Sequence, residues 1–245
     1  MHGEALLDAA VVNNALWCDA VCRSHGYRGA FSARLWTSAH HDLEFYPNAI
    51  SLRPDVTAAE AVAARELSRR YAVKDSFGRL DLAAEGLTLL FEAEWIACRP
   101  GAAGAADPGL SWDRVTEAGE LSAWERAWAQ GDSAGRPLFR PELLADPRCA
   151  ILACRREDTL TAGVIAYAAG EVTGISNLFG AGLAAGQLCP APCRRWPRAG
   201  RTCPSSAMST APTWHLPGGP DARPSARSAS GRRIPRQDGD DRPVH

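Results

Sequence analysis

Between Ala150 and Phe179 three short apolar runs follow one another with room for little more than turns between them. Ile151–Arg155 closes on the polar turn Arg156-Glu157-Asp158, Leu160–Ala168 closes on Gly170-Glu171, and Val172–Phe179 completes the series. Runs of this length, bounded by charged or glycine turns and rich in Val, Ile and Tyr, favour strands over helices. The stretch therefore predicts an antiparallel meander at the centre of a mixed sheet. The fold class that follows is α/β or α+β: a mostly antiparallel sheet flanked by helices.

The preceding chain supplies the flanking elements. Residues 4–26 carry apolar side chains at roughly helical spacing and end at Gly26, where a helix C-cap is expected, with Asn13-Asn14 as a point where a new helix could begin. Ala49–Leu52 alternates like a strand, and Thr57 with Glu60 forms a capping box for a helix from Ala58 to about Tyr71. Val73–Phe77 is short and polar and holds Lys74, the chain's only lysine, which in an Arg-using protein points to a GC-rich genome more than to catalysis. Leu87–Ala97 reads as one strand that places Glu92 and Glu94 on a common face. Such a pair could deprotonate and anchor an amine, or could be the solvated face of a half-covered sheet. Arg99–Gly109 is a Pro/Gly/Ala linker. Beyond it, Trp112–Val115 reads as a strand and Thr116 as the cap of a helix Glu117–Gln130, with Leu121, Trp124 and Trp128 along its apolar stripe.

Charge and cysteine content narrow the classes. Residues 181–245 hold ten Arg and four Asp with no Lys or Glu, near +6, so the net charge of −1 leaves residues 1–180 near −7. The acidic body argues against nucleic acid as the partner. An Arg-rich tail could bind it, but the scattered prolines and Asp238-Gly239-Asp240-Asp241 argue against an organised basic patch. No unbroken run of about 18 apolar residues predicts a membrane span, and Glu4 and Asp8 stand where a signal peptide would be basic. The expected location is cytoplasmic. Cys18 and Cys22, with His25 and His40-His41 nearby, lack the paired-knuckle spacing of structural zinc sites and read as small buried hydrophobes.

The order strand, helix opening on Val115-Thr116 and Glu120-Leu121, loop, then three antiparallel strands resembles the GNAT N-acyltransferase superfamily. The residues that carry the resemblance are Trp112–Thr116, Glu120-Leu121, Trp124, Pro141–Leu144 and Gly174–Phe179. Residues 14–96, including Asn14–Gly26 and Val73–Phe77, look like the N-terminal extension of an actinobacterial member. The resemblance implies acetyl-CoA as co-substrate, with backbone groups of Ser176, Asn177, Leu178 and Phe179 holding the pantetheine arm. Asn177 could instead only pin the strand end. It implies an amine acceptor, small molecule or protein, and leaves a homodimer open, with Glu92 or Glu94 as the candidate base. The organisation expected is 1–98 as an α/β extension, 99–109 as linker, 110–180 as an incomplete GNAT-like core and 181–245 as a tail. Two family features are missing: the Gln or Arg expected in the phosphate loop at Gly180–Gly186, and any Tyr after Phe179.

The tail itself reads as disordered, with ten of the chain's 17 prolines and no Phe or Tyr. Read one base out of frame with GC-rich codons, Arg195–His215 permits Val-Ala-Ala-Arg-Trp-Pro-Asp-Leu followed by Pro-Val-Val-Gly-Tyr-Glu-His-Gly-Ala-Asp-Leu-Ala. That is a helix, a strand bearing a Tyr, and a turn into another helix, the parts that the superfamily has after its fourth strand. The expectation is a frame slip between about Phe179 and Arg194, a chain inactive as encoded, and, as the alternative function, a non-catalytic acyl-CoA or protein-binding module.

Overall fold

A computed structural model describes residues 3–66, 69–98, 110–130 and 137–180, with the backbone of 206–209 and 214–217. The elements in chain order are α1 (Gly3–Ser24), β1 (Gly29–Phe31), β2 (Leu35–Ser38), β3 (Ala49–Ser51), α2 (Ala58–Val62), β4 (Val73–Lys74), β5 (Leu87–Phe91) and β6 (Trp95–Cys98). They continue as β7 (Ser111–Arg114), α3 (Ala118–Trp128), α4 (Glu142–Ala145), β8 (Cys149–Arg156), β9 (Thr159–Ala169), β10 (Val172–Gly180), β11 (Ser206–Ser209) and β12 (Trp214–Pro217). Two six-stranded sheets result, ordered β1-β2-β3-β4-β12-β5 and β6-β11-β10-β9-β8-β7.

The meander β8-β9-β10 lies at the heart of the second sheet, antiparallel throughout. Glu157 and Asp158 both take positive φ, 48° and 64°, in the two-residue hairpin between β8 and β9. That is the turn whose twist matches the flanking strands. On one face of this sheet, Ile151, Ile165 and Tyr167 pack with Trp124 of α3 and with Trp17, Val21 and Cys22 of α1. On the other, Leu152, Cys154, Val164 and Ile175 bury with Trp112. The first sheet packs Ala49, Val73 and Leu87, with Leu82 from the loop before β5, in one cluster with Ala61 of α2.

Several elements depart from expectation. The first helix runs unbroken through Asn13-Asn14, because both amides are buried and hydrogen-bonded to other elements. It is long and apolar enough by length and composition to cross a membrane, which a search for an unbroken apolar run does not register, and most of it is buried inside the protein. The capping box of Thr57 and Glu60 forms as expected, yet α2 stops at Val62. There the Tyr71 hydroxyl donates to the Ala61 carbonyl, taking the acceptor that a further helical turn would use, and Arg65 N–H falls back to Val62. Thr116 does not cap α3: Glu117 is the N-cap and makes no side-chain cap bond, while the Glu120 carboxylate accepts from the Thr116 N–H.

Leu87–Ala97 is not one strand. The chain leaves the first sheet after Phe91 and enters the second at Trp95, so Glu92 and Glu94 lie in the crossing between sheets, exposed, rather than on a common strand face. Within the stretch expected to lack structure, Ser206–Ser209 pairs parallel to β10 and antiparallel to β6, and Trp214–Pro217 pairs with β4 and β5. The linker 99–109 and the rest of 181–245, including the Gly-rich loop beyond Gly180, lie outside the described residues.

Candidate functional site: the break in strand β10

The local geometry of β10 changes at Ser176. Ser176 is paired with Ile165 and Phe179 with Gly163, so Asn177 and Leu178 together oppose the single residue Val164. This is a β-bulge, and Asn177 accommodates it at φ 52°, a left-handed conformation that Asn tolerates better than most residues. On its other edge, β10 pairs with β11 only at Thr173, Gly174 and Ile175. From Ser176 onward β10 has no strand partner on that side among the described residues. The described pairing of β10 with β11 ends where the bulge begins, and the bulge takes Asn177 and Leu178 out of the regular ladder with β9.

The side chains there divide by role. Phe179 turns into the core, its ring 5.1 Å from Trp124 in an edge contact and close against Gly163, where a Cβ would stand 2.4 Å from it. Leu178 is exposed. Ser176 walls a small cleft with Gly174 and Tyr167 on the sheet and Asn13, Asn14 and Trp17 on α1. Among the described residues, no carboxylate lines the cleft.

Asn13 ties the helix to the sheet: its Nδ2 donates to the carbonyls of Tyr167 (2.9 Å) and Val172 (3.2 Å). Its Oδ1 lies 2.1 Å from where a Cβ on Gly174 would be, so only glycine lets the helix sit this close.

No family model and no curated protein matches the chain. Among solved structures it is similar to a GCN5-related N-acetyltransferase from Kribbella flavida, at 18% identity and a TM-score of 0.56, over 86% of this chain and 96% of that one. The fold is GNAT-like. A second solved structure, the C-terminal domain (DUF2156) of a putative lysylphosphatidylglycerol synthetase from Agrobacterium fabrum, matches at 15% identity and a TM-score of 0.42, over 86% of this chain and 93% of that one.

In this GNAT-like arrangement Asn14 joins the cleft to a second polar group. Its Oδ1 accepts from Lys74 Nζ at 2.5 Å, and the ammonium lies 5.0 Å from the centre of the Trp95 ring. Lys74 is 1% exposed. Burial pushes its pKa down to about 8, a fall partly opposed by the Cys18 thiol. Cys18 Sγ lies 4.0 Å from the same Asn14 oxygen, and burial pushes that thiol up to about 12. Trp95 is held in turn by its Nε1 donating to the Ser76 carbonyl.

The family resemblance pointed to Ser176–Phe179, where the structure has the bulge in β10 next to its last described pair with β11. Glu92 and Glu94 are not drawn into the cleft's lining. Lys74, read from the sequence as a trace of genome composition, is instead buried; the signal available was a lone lysine beside Val73 in a short polar run. Among the described residues, no three His, Cys, Asp or Glu side chains converge as a metal site requires.

Proposed function

We propose that the chain is an acyl-CoA-dependent N-acyltransferase-like protein that binds acetyl-CoA along β10 and is inactive as encoded. The observation that carries this reading is the coincidence, within a GNAT-like fold, of the Ser176–Phe179 bulge with the end of the described β10–β11 pairing. Backbone N–H and C=O groups that a bulge takes out of its ladder can pair with the amides of a pantetheine arm as a neighbouring strand would. A thioester carbonyl laid there would meet backbone N–H donors positioned to stabilise the oxyanion as an amine attacks. The acceptor is an amine, on a small molecule or a protein, and the cytoplasm, where acyl-CoA is available, is the proposed setting.

Of the two exposed carboxylates, Glu94 is the better candidate for taking the acceptor's proton. It precedes Trp95, which pairs with Ser209, and the parallel register puts Ser209 level with Ser176. Two inter-strand spacings, about 10 Å, then separate Trp95 from the break. The placement of Glu92 and Glu94 in the crossing between the sheets, outside the cleft's described lining, favours a second reading, a non-catalytic module that binds acyl-CoA. Loss of activity as encoded follows from the tail: Ser206–Ser209 occupies the place of a fifth strand, but no Tyr follows Phe179 to protonate the departing thiolate.

Calorimetric titration of the 245-residue protein with acetyl-CoA, beside a thiol-release assay over a panel of amines, tests the proposal. Saturable binding without turnover is expected. Absence of binding would overturn the acyl-CoA reading, and turnover would overturn the claim of inactivity. Resequencing codons 175–205 from source DNA decides the frame. A slipped base makes the frame-restored protein the one to assay for transfer and for loss on Glu94→Gln.

A further inference from the structure

We propose that the chain holds the same strand unit twice, and that the first copy's counterpart of the β10 break is a closed site, so that the protein takes one acyl-CoA and takes it in its second half. The number of ligands rests on the acyl-CoA reading; the repeat and the closure do not.

The repeat is one of pairing. β1, β2 and β3 form an antiparallel meander, and β4 then pairs parallel to β3. β8, β9 and β10 form the other antiparallel meander, and β11 then pairs parallel to β10. Parallel neighbours need a connection of a dozen or more residues, and each unit has one there, 52–72 in the first and 181–205 in the second. Beyond each parallel partner the next place in the sheet goes to an antiparallel strand from the opposite half of the chain, β12 beside β4 and β6 beside β11. The register agrees as well. The β3–β4 pairs end at Ile50 and the described β10–β11 pairs at Ile175. Ala49-Ile50-Ser51 therefore corresponds to Gly174-Ile175-Ser176, with both isoleucines buried and a serine next after each.

The two copies differ in what fills the step past the isoleucine. Ser176 is half-buried and walls the cleft against α1. Ser51 is 1% exposed, and its hydroxyl bridges to the residues that follow β4: Oγ accepts from the Ser76 N–H at 2.8 Å and donates to Asp75 Oδ1 at 3.4 Å. The Asp75 carboxylate also accepts from the N–H groups of Phe77 (3.1 Å) and Leu80 (2.7 Å). Groups that could serve a ligand's amides are thus committed inside the protein. The adjoining surface is unfavourable to a polyanion such as CoA: Asp55 and Glu60 share the single guanidinium of Arg34, and Arg53 is taken by Asp8. What the first half supplies to the open site is a wall, since Asn13, Asn14 and Trp17 of α1 line the second copy's cleft.

Amide hydrogen exchange of the full-length protein, followed by mass spectrometry with and without a non-transferable thioether analogue of acetyl-CoA, tests both parts, with calorimetry giving the number of sites. Without ligand, the Ser76 and Leu80 amides are expected to exchange at least about tenfold slower than in unfolded chain, and Ser51→Ala should quicken Ser76 at least about tenfold while leaving 174–180 unchanged. With the analogue, one site per chain is expected, with new protection in 174–180 and none in 50–54 or 75–80. Fast exchange at Ser76 and Leu80 in the free protein, or a Ser76 amide indifferent to Ser51→Ala, overturns the closure whatever the ligand does. Two sites per chain, or ligand protection at 50–54 or 75–80, overturns the inference and leaves the acyl-CoA reading standing. Slow amides with no binding overturn the acyl-CoA reading and leave the closed first site in place.

Discussion

Burial of Lys74 gives the fold a measurable dependence on pH. The folded pKa of about 8 lies below the ordinary value of 10.5, so between these values the unfolded chain binds more protons than the folded one. Stability supplied through this group therefore rises with pH across that window; below about 8 both states are charged and the full cost of burying the ammonium is present. Integrating from pH 7 to pH 9 gives a gain of about 1.3 kcal/mol. The thiols of Cys18, Cys22 and Cys149 act oppositely: burial raises each to about 12 from 9, so the unfolded chain loses protons first and stability falls as pH rises. Each costs about 0.4 kcal/mol by pH 9, together about 1.2, which nearly cancels the lysine's gain. The wild-type protein should thus look almost pH-independent from 7 to 9. Lys74→Met, which keeps the buried stem and removes the charge, should lose about 1 kcal/mol over the same range. Urea unfolding of both proteins at pH 7, 8 and 9, with reductant present, gives the two curves. Parallel curves would refute the reasoning, because they would mean that Lys74 keeps an ordinary pKa inside the fold.

Other substitutions test the packing around the break in β10. Gly174→Ala drives a methyl to within 2.1 Å of Asn13 Oδ1, so Asn13 must surrender its bonds to Tyr167 and Val172. A loss of about 2–4 kcal/mol is expected by thermal or urea unfolding, and Asn13→Ala should recover part of it in the double variant. Gly163→Ala meets Trp124 Nε1 at 2.2 Å and the Phe179 ring at 2.4 Å, and should cost about 2–4 kcal/mol through overpacking and loss of the Trp124 bond to the Leu152 carbonyl. Glu125, buried at the end of α3, accepts from the N–H groups of Leu138 and Phe139; Glu125→Ala should destabilise by about 2–3 kcal/mol in the same assay. A chain ending at Gly180 leaves one edge of β10 and both edges of β6 unpaired, and light scattering should show it aggregating where the full chain does not.

The meander was legible because its three runs and two turns are local, and strands joined by two or three residues have only one way to pair. The capping box was legible for the same reason, but the length of its helix was not. Tyr71, nine residues past Val62, ends α2 by bonding a carbonyl, and nothing in the local pattern announces that contact. The strand read across Leu87–Ala97 failed on the same ground. Its alternation continues through Glu92–Glu94, and only tertiary pairing on either side reveals that the chain changes sheets there. At the site, the family resemblance led to Ser176–Phe179, whereas the bulge depends on register with β9, which the local sequence does not carry. Lys74 escaped attention because its burial involves Asn14 and Trp95, sixty residues before it and twenty-one after.

The last two strands have a further bearing on how the molecule is made. β11 lies between β10 and β6, and β12 between β4 and β5, so Ser206–Ser209 and Trp214–Pro217 pair antiparallel with Trp95–Cys98 and Leu87–Phe91 and tie one late segment of the chain into both sheets. In that strand order β5 and β6 have no other neighbour. A ribosome that has just released Leu87–Cys98 must add more than a hundred further residues before their partners exist, about 5–20 s at ordinary elongation rates. For that interval the nascent chain carries a sticky, unsatisfied β segment, with the exposed Leu89 and Phe91 on it, and its safe passage depends on what the cell holds ready at the exit tunnel.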